Sequence, residues 1–405
     1  MTGSKRRLRL FAQLACFATA VALLLPLPPL KDAKEFVVHL SPFLAISSSI
    51  ALGSFGVGSG IGLLLGVIAI WQPRWFCRYA CPVGLLVEAA SRFGLRKTSW
   101  WGRCPQVGQA IVLLTVSGAI VGYPILLWLD PLAFFSGFLT IGFAAGVASG
   151  ILSGVLLVLV LVLSLTSGAL WCARLCPLGA TQDLLALGKK AVSKKQKDLS
   201  GRSSEVSAAS RHVHTARRAF LLGAAGLGLG LWARRIGAAR GENAPLRPPG
   251  AVKEERFAGL CVRCGNCIRA CPPKVIHTDM GDAGIAGLLA PIIRYESSYC
   301  LESCNACTQV CPSGTLQPLD LERKKRHRIG EALVDGSTCL VVLGKKDCDA
   351  CVRACPFGAV SIHWDEERYA AWPAIDAAKC NGCGACEIAC PTEPIKAIRV
   401  WKSAG

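Results

Sequence analysis

The residues best suited to chemistry are cysteines in the second half of the chain. Of 22 cysteines, 16 lie after residue 240, and they form four groups of four. Two groups have the spacing C-x-x-C-x-x-C-x-x-x-C-P, and the other two differ only in the first interval. This spacing lets three thiolates bind one iron–sulfur cubane, while the fourth, followed by proline, is directed to a second cubane. We therefore expect four 4Fe-4S clusters rather than zinc sites, whose paired ligands do not use a three-plus-one spacing.

The pairing of these quartets decides which fourth cysteine completes which cluster. The predicted ligands, in chain order, are Cys261, Cys264, Cys267 and Cys271; Cys300, Cys304, Cys307 and Cys311; Cys339, Cys348, Cys351 and Cys355; and Cys380, Cys383, Cys386 and Cys390. Because the two regular quartets are outermost, we expect a nested pairing. In it, Cys390 completes the cluster of the first quartet and Cys355 completes that of the second. Sequential pairing of neighbouring quartets is the alternative.

A second cysteine pattern occurs twice in the first half of the chain. "CRYACPVG" contains Cys77 and Cys81, and "CARLCPLGA" contains Cys172 and Cys176. Both lie just beyond the same ends of predicted helices, so the four thiolates are expected to hold one more cluster. The alternative is that these cysteines are merely small apolar residues at helix ends. Cys104, also before a proline, is a candidate to substitute or assist, and Cys16 is expected to pack inside the first helix.

The elements that must position these cysteines begin with apolar helices. The composition is 52% hydrophobic, high for a wholly soluble protein. A membrane-spanning helix needs about 20 apolar residues. The sequence predicts four such helices, at 8–30, 42–70, 107–129 and 144–171.

The charge is concentrated in the apolar half. Residues 1–239 carry 24 basic and 7 acidic residues, whereas residues 240–405 carry 21 and 19. Basic residues collect before the first predicted helix, between the second and third, and after the fourth, which predicts that these segments are cytoplasmic. The charge therefore indicates membrane topology, and we do not expect nucleic-acid binding.

An export-like segment stands between the two halves. Residues 188–216 are polar and basic and predict a cytoplasmic linker. The next stretch, 217–239, places Arg217 and Arg218 before a short apolar run, as in a twin-arginine signal. We expect it to remain as an uncleaved fifth helix, with cleavage after Ala239 as the alternative.

The fold class follows from these patterns. Residues 1–187 predict a four-helix membrane bundle, followed by the linker and the signal or anchor. Residues 240–405 predict an α+β ferredoxin-like domain, with strands at "KVIHT", "TCLVVL", "GAVSIHW" and "IKAIRVW" between the cysteine loops.

Both halves resemble known families. "LRPPGAVKEERFAGLCVRCGNCIRACP", 246–272, and the inner quartets resemble the ferredoxin-type NapG/MauM proteins, which carry a twin-arginine leader and four 4Fe-4S quartets. Residues 1–187 resemble the NapH/MauN quinol dehydrogenase membrane component, which implies a fusion of two partner proteins. Cluster domains fold on free thiolates in the cytoplasm, so the signal is expected to recruit the twin-arginine translocase, which exports folded cargo.

The resemblance implies electron transfer from the quinol pool at an inner membrane, with the N-terminus cytoplasmic and the cluster domain periplasmic. Quinol is the expected substrate and a c-type cytochrome or periplasmic reductase the expected acceptor. No C-x-x-C-H haem motif occurs. No residue is assigned as proton acceptor, although Glu88 and Asp130 are the carboxylates nearest the predicted bilayer. The alternatives are a membrane protein for assembly or regulation of a metalloenzyme, and a cluster domain retained in the cytoplasm.

Overall fold

The computed structural model describes residues 3–24, 36–54, 58–94, 105–139, 147–198, 207–238, 245–282, 284–366 and 369–402. The helices of the N-terminal half (residues 1–239) are α1 Gly3–Leu24, α2 Phe36–His39, α3 Pro42–Leu52, α4 Ser59–Trp71, α5 Trp75–Tyr79, α6 Pro82–Phe93, α7 Val107–Ile120, α8 Pro131–Phe138, α9 Val147–Ser167, α10 Pro177–Asp198 and α11 Ser207–Ala238. A 3₁₀ turn at Leu127–Leu129 and a π-helical turn at Trp171–Leu175 complete them.

The second predicted span is wrong as a single helix. Residues 42–70 form α3 and α4, which pack against each other as a helical hairpin. Helix α3 ends at Gly53, whose left-handed backbone (φ 67°) is accessible to glycine without strain. On α4, Gly62 lies against Ala45 and the Ser41 carbonyl, so the missing side chain lets the two helices approach. The apolar run therefore reverses direction.

Other predicted spans are shorter than expected. The helix predicted at 107–129 ends at Ile120, and the one predicted at 144–171 covers Val147–Ser167. Among the described helices, two are long and apolar enough to cross a bilayer, within Arg7–Leu24 and Arg217–Gly237. The second of these is the predicted fifth segment.

The predicted linker is partly helical. Helix α10 continues to Asp198 and α11 begins at Ser207, so only the middle of the predicted 188–216 linker is left between them, at 199–206, which lies outside the described residues. The proposed cleavage site at Ala239 and the basic residues at 96–103 also lie outside them.

The C-terminal half (residues 240–405) is built from short elements. Its helices are α12 Glu254–Leu260, α13 Asn266–Ala270, α14 Gly284–Gly287, α15 Ala306–Gln309, α16 Leu321–Arg326, α17 Ala350–Ala354 and α18 Ala385–Ala389. Its strands are β1 Ile276–Thr278, β2 Pro291–Ile293, β3 Glu331–Val334, β4 Val360–Asp365, β5 Ala370–Ile375 and β6 Ile398–Trp401.

The strands form three antiparallel pairs, β1 with β2, β3 with β6 and β4 with β5. Three of the four predicted strands are present, as β1, β4 and β6. The remaining predicted strand, "TCLVVL", is wrong. Residues 338–343 form turns instead, which are closed by hydrogen bonds such as that from the Leu343 amide to the Cys339 carbonyl. These turns direct Cys339 toward the other cysteines described below.

The two halves are in direct contact. Arg234 near the end of α11 forms an ion pair with Glu255 on α12 at 2.7 Å. Arg256 donates a hydrogen bond to the Ala51 carbonyl at the end of α3. Tyr123, after α7, lies against Gly259. The cysteine-rich half therefore sits on the end of the bundle formed by the C-termini of α3, α7 and α11.

Candidate iron–sulfur sites

The fourth cysteine of a quartet leaves its own group because of the proline that follows it. Cys271, Cys355 and Cys390 each end a one-turn helix in an extended conformation, with ψ of 109°, 109° and 124°. A residue before proline is disfavoured in the helical region, so the chain turns outward there. The fourth thiol therefore points to a different group from the first three.

The structure brings the sixteen cysteines of the C-terminal half into four sets. Set 1 is Cys261, Cys264, Cys267 and Cys311; set 2 is Cys300, Cys304, Cys307 and Cys271; set 3 is Cys339, Cys348, Cys351 and Cys390; set 4 is Cys380, Cys383, Cys386 and Cys355. Sets 1, 3 and 4 each line a cavity of their own.

The nested pairing is wrong for this structure. Cys311, rather than Cys390, stands with the first triad, and Cys271, rather than Cys355, stands with the second. Quartets therefore pair sequentially, first with second and third with fourth. Helices α13 and α15 pack together in one pair, and α17 and α18 in the other, so each pair forms a compact two-site unit.

The four sets follow one another through the C-terminal half. Cys267 of set 1 lies within electrostatic range of Cys307 of set 2. The Cys300 amide of set 2 donates to the Cys383 carbonyl of set 4 at 2.9 Å. Cys386 of set 4 in turn interacts with Cys351 of set 3. The spatial order is therefore 1, 2, 4, 3.

Set 1 is the set nearest the N-terminal half. Arg269 on α13 donates to the carbonyl and hydroxyl of Ser136 on α8, both at 2.7 Å. The Ser136 hydroxyl also lies 3.4 Å from the Cys264 carbonyl. One turn of α8 therefore touches the loop that carries the first triad.

The surroundings of set 1 fit an anionic cluster. Arg269 is 7% exposed, and its guanidinium donates hydrogen bonds to neutral oxygens of Ser136 and Asn266. Its electrostatic interactions are with Cys264 and Cys267. A buried charge is costly unless it is compensated, and thiolates bound to iron supply that compensation.

The thiols are free, and nine of them are buried while the other twelve are half-buried. All 21 described cysteines are unpaired. Burial raises the pKa of Cys264 to about 12 and that of Cys383 to about 11, so without metal these groups are neutral. Burial acts the same way on Cys390, but hydrogen bonds from Thr392 and backbone amides lower its pKa overall. Iron binds thiolates, so loading such sites releases protons.

The two C-x-x-x-C-P motifs of the N-terminal half also meet. Cys81 begins α6 and Cys176 begins α10, both with ψ of 119° and with proline as the first helical residue. Cys77 interacts electrostatically with Cys81 and Cys172, and Cys176 with Cys77 and Cys172. We call these four cysteines the N-terminal set. Because α4 packs on α10 and α6 on α9, each motif faces the other.

Polar groups surround the N-terminal set. Gln182, fully buried on α10, donates to the Cys77 sulfur at 3.1 Å, and the Gly84 amide donates to the Cys81 sulfur at 3.4 Å. Arg74 donates to the Cys172 carbonyl at 3.1 Å and pairs with Asp183 at 2.5 Å. Donors aimed at sulfur are a known means of tuning iron–sulfur centres.

In the described residues, no three His, Cys, Asp or Glu side chains surround one point as ligands of a single metal ion would. A four-iron cubane binds one thiolate at each iron, so its four ligands stand apart. The five sets therefore suit clusters rather than single ions. Cys104 lies outside the described residues, and Cys16 is half-buried on α1.

A second repeat, not predicted from the sequence, precedes the cysteine motifs. "LSPFLAIS", 40–47, and "LDPLAFFS", 129–136, precede the two cysteine motifs and begin α3 and α8. Ser41 and Asp130 cap these helices and hydrogen-bond to each other. The alignment of the two Pro-containing segments could have revealed it. Asp130 is thus fully buried as a helix cap, whereas Glu88 pairs with Arg9 at 2.5 Å.

Comparison with known families agrees with the cysteine sets. A 4Fe-4S dicluster domain matches residues 260–315 and 346–393. The first match contains the first and second quartets, and the second contains the third and fourth quartets without Cys339. A 4Fe-4S binding domain matches residues 55–100 and 149–195, which contain the two C-x-x-x-C-P motifs. Models of iron–sulfur domains therefore match both halves of the chain. No solved structure matches the fold.

Relatives match part of the chain. The ferredoxin-type protein NapG of Escherichia coli is 37% identical over 182 residues, 42% of this chain and 76% of NapG. The methylamine utilization ferredoxin-type protein MauM is 36% identical in Methylophilus methylotrophus, over 36% of this chain and 66% of that protein, just under two thirds. MauM of Methylorubrum extorquens is 34% identical, over 40% of this chain and 76% of that protein. The chain belongs to the NapG/MauM family of ferredoxin-type 4Fe-4S proteins.

Proposed function

We propose that this protein is a membrane-bound electron carrier that accepts electrons from quinol and passes them to a periplasmic acceptor, a c-type cytochrome or a reductase. The observation that carries the proposal is the unbroken order of cysteine sets, which begins where α13 contacts α8 and leads away from the helix bundle. One-electron transfer is the chemistry that such clusters supply when bound.

The twenty cysteines of the five sets are proposed as cluster ligands, four clusters in the C-terminal half and one in the N-terminal set. The protein's own groups hold these sites in place. The Arg269 guanidinium joins set 1 to the bundle, and Tyr295 donates to the Gly382 carbonyl at 2.6 Å between sets 2 and 4. Each set has at least one buried cysteine, which limits the access of water to the sites.

Membrane insertion of the N-terminal half is supported by its exposed surface. Ile151, Val155, Val158, Leu159 and Val162 on α9 are 46–58% exposed. A contiguous apolar patch of this kind marks an interaction surface, and lipid suits a stripe that follows a helix. The paired cysteine motifs, matched by a 4Fe-4S binding domain, support the further proposal that this half is a NapH/MauN-type component fused to the ferredoxin.

The orientation of α11 supports a periplasmic cluster domain. Helix α7 begins where Gly108 lies against the Cys176 carbonyl and ends beside α12. Gly226 and Gly230 of α11 contact successive turns of α7 in the same direction, so the two helices run parallel. The N-terminal set and sets 1–4 therefore lie at opposite ends of α7, whose 14 residues span about 21 Å.

Quinol reduction of the reconstituted protein tests the electron-transfer proposal. The visible absorbance of the clusters should bleach when an anaerobic sample in lipid receives a reduced quinol. In the Cys264→Ser variant, quinol should no longer reduce sets 2–4, while a soluble strong reductant still should. Wild-type protein that quinol cannot bleach would refute the proposal.

Protease access tests the orientation. We expect residues 240–405 to be cut in spheroplasts of the wild type but protected when Arg217 and Arg218 are both changed to Lys, because the export receptor reads arginine rather than charge. Equal cutting in both strains would show that the arginines are only a topological flank. Protection in both would place the domain in the cytoplasm.

A further inference from the structure

A cavity of about 350 Å³ lies between the helix bundle and set 1. Its walls are mostly apolar and aromatic and come from both halves of the chain. They include Tyr123, Trp128, Phe134, Leu156, Ala233 and Arg263. This volume is within the range of small-molecule sites, about 300–1,000 Å³.

One layer of protein separates this cavity from set 1. Val262 and Arg263, which lie between Cys261 and Cys264 in the sequence, line both the cavity and the site of set 1. Leu289 does the same. A molecule in the cavity is therefore separated from the first triad only by the loop that carries it.

The polar groups of the wall are few and fixed. Arg263 has a left-handed backbone (φ 57°), and its guanidinium donates to the Leu288 carbonyl at 2.8 Å and the Cys261 carbonyl at 3.1 Å. The guanidinium lies 6.0 Å from the centre of the Trp128 ring. A flat ring bearing oxygen atoms fits such a site, with aromatic walls for the ring and a cation for an oxygen.

Apolar surface flanks the cavity on the helix side. Leu156 on α9 and Ala233 on α11 form part of its wall. Their neighbours Val155 and Trp232 are 46% and 64% exposed. A ligand with an isoprenoid tail can therefore extend along either helix while its ring occupies the cavity.

We propose that this cavity is the quinol site, which rests on the proposed quinol-oxidising function. Oxidation of one quinol to quinone breaks two O–H bonds and releases two electrons and two protons. A cluster held by set 1 would accept the electrons one at a time and pass the first to set 2 before taking the second, and the protons would go to water. Arg263 and Trp128 orient the ring. The location puts electron entry at the cluster domain itself, on the side of the bundle away from the N-terminal set.

Photolabelling with an azido-benzoquinone tests the site by binding, independently of activity. Labelled peptides should come from 121–134, 153–156 or 258–263 and should disappear when excess unlabelled quinone is present. Ala233→Trp and Ala258→Leu fill the cavity and should weaken quinone binding by about tenfold or more. Ala224→Trp adds the same bulk on the exposed face of α11 and should leave binding unchanged.

The outcomes separate the site from the function. Iron content and visible spectra of all variants must match the wild type, which shows that they fold. If quinol reduces wild-type clusters but both filling variants bind and react normally, the site is refuted and the function stands. The proposed site is also refuted if the label is found elsewhere in the chain, or if phospholipid competes with the label and quinone does not. If quinol does not reduce the wild type, the function itself fails.

Discussion

Removal of the charge of Arg269 should lower the reduction potential of set 1. The guanidinium is buried, and it interacts with Cys264 and Cys267. Reduction adds a negative charge to the site, so loss of a nearby positive charge makes the reduced form less stable. In Arg269→Gln, a shorter, neutral side chain that can still form hydrogen bonds replaces the cation.

The magnitude follows from Coulomb's law. A unit charge about 5–10 Å from the redox centre contributes about 1.7–3.3 kcal/mol at an effective dielectric constant of about 20. Since ~1.4 kcal/mol corresponds to ~59 mV for one electron, the expected decrease is about 70–140 mV. Little of this is lost to solvent screening, because Arg269 is 7% exposed.

The sequence offers a matched control. "CIRACP" contains Arg269 and "CVRACP" contains Arg353 at the same position of its motif. The Arg353 side chain is 74% exposed and pairs with Asp349 at 2.9 Å. Arg353→Gln should therefore shift the potential of set 3 much less, because water screens an exposed charge.

A redox titration followed by paramagnetic resonance measures these shifts. The signal of set 1 is identified as the one absent from a Cys264→Ser sample. Arg269→Lys keeps the charge and should restore most of the potential. An unchanged potential in Arg269→Gln, or an equal decrease in Arg269→Lys, would show that the residue acts only through packing and would contradict the electrostatic argument.

Three further predictions concern pairing, packing and pH. Cys311→Ser should abolish the set 1 signal and Cys390→Ser should leave it, whereas nested pairing requires the reverse. Gly62→Val places atoms against the α3 backbone and should destabilise the bundle by about 1–3 kcal/mol, while Gly60→Val, which meets open space, should not; thermal unfolding in detergent compares them. Burial lowers the pKa of His327, so the folded domain should lose stability as the pH falls below about 6.5, and His327→Gln should flatten that dependence in pH-dependent unfolding.

Local spacing made the cysteine chemistry predictable. In the two regular quartets, three thiols within seven residues have few ways to meet, and the proline after each fourth cysteine disfavours the helical conformation there. In the same way, two C-x-x-x-C-P motifs at equivalent helix ends are expected to face each other. The structure brings Cys77, Cys81, Cys172 and Cys176 together.

Hydropathy was a weaker guide because it reports burial rather than direction. The run at 42–70 is apolar throughout, yet Gly53 ends one helix and Gly62 allows the next to return along it. In the same way, "TCLVVL" has the composition of a strand, but Cys339 within it has to reach set 3. In both segments the composition indicates burial, while the path of the backbone depends on single residues such as Gly53 and Cys339.

What the sequence by itself determined is the kind of site, because each triad is set by residues a few positions apart. The tertiary structure alone decided the partner of each fourth cysteine, the contact between set 1 and α8, and the cavity beside it, since all three depend on segments that are distant in the sequence, such as Tyr123 and Leu289 in the cavity wall, and that meet only through packing. It also decided that Arg269 is buried where Arg353 is exposed. Closely similar local motifs acquire different electrostatic environments because the surface that covers them comes from elsewhere in the chain.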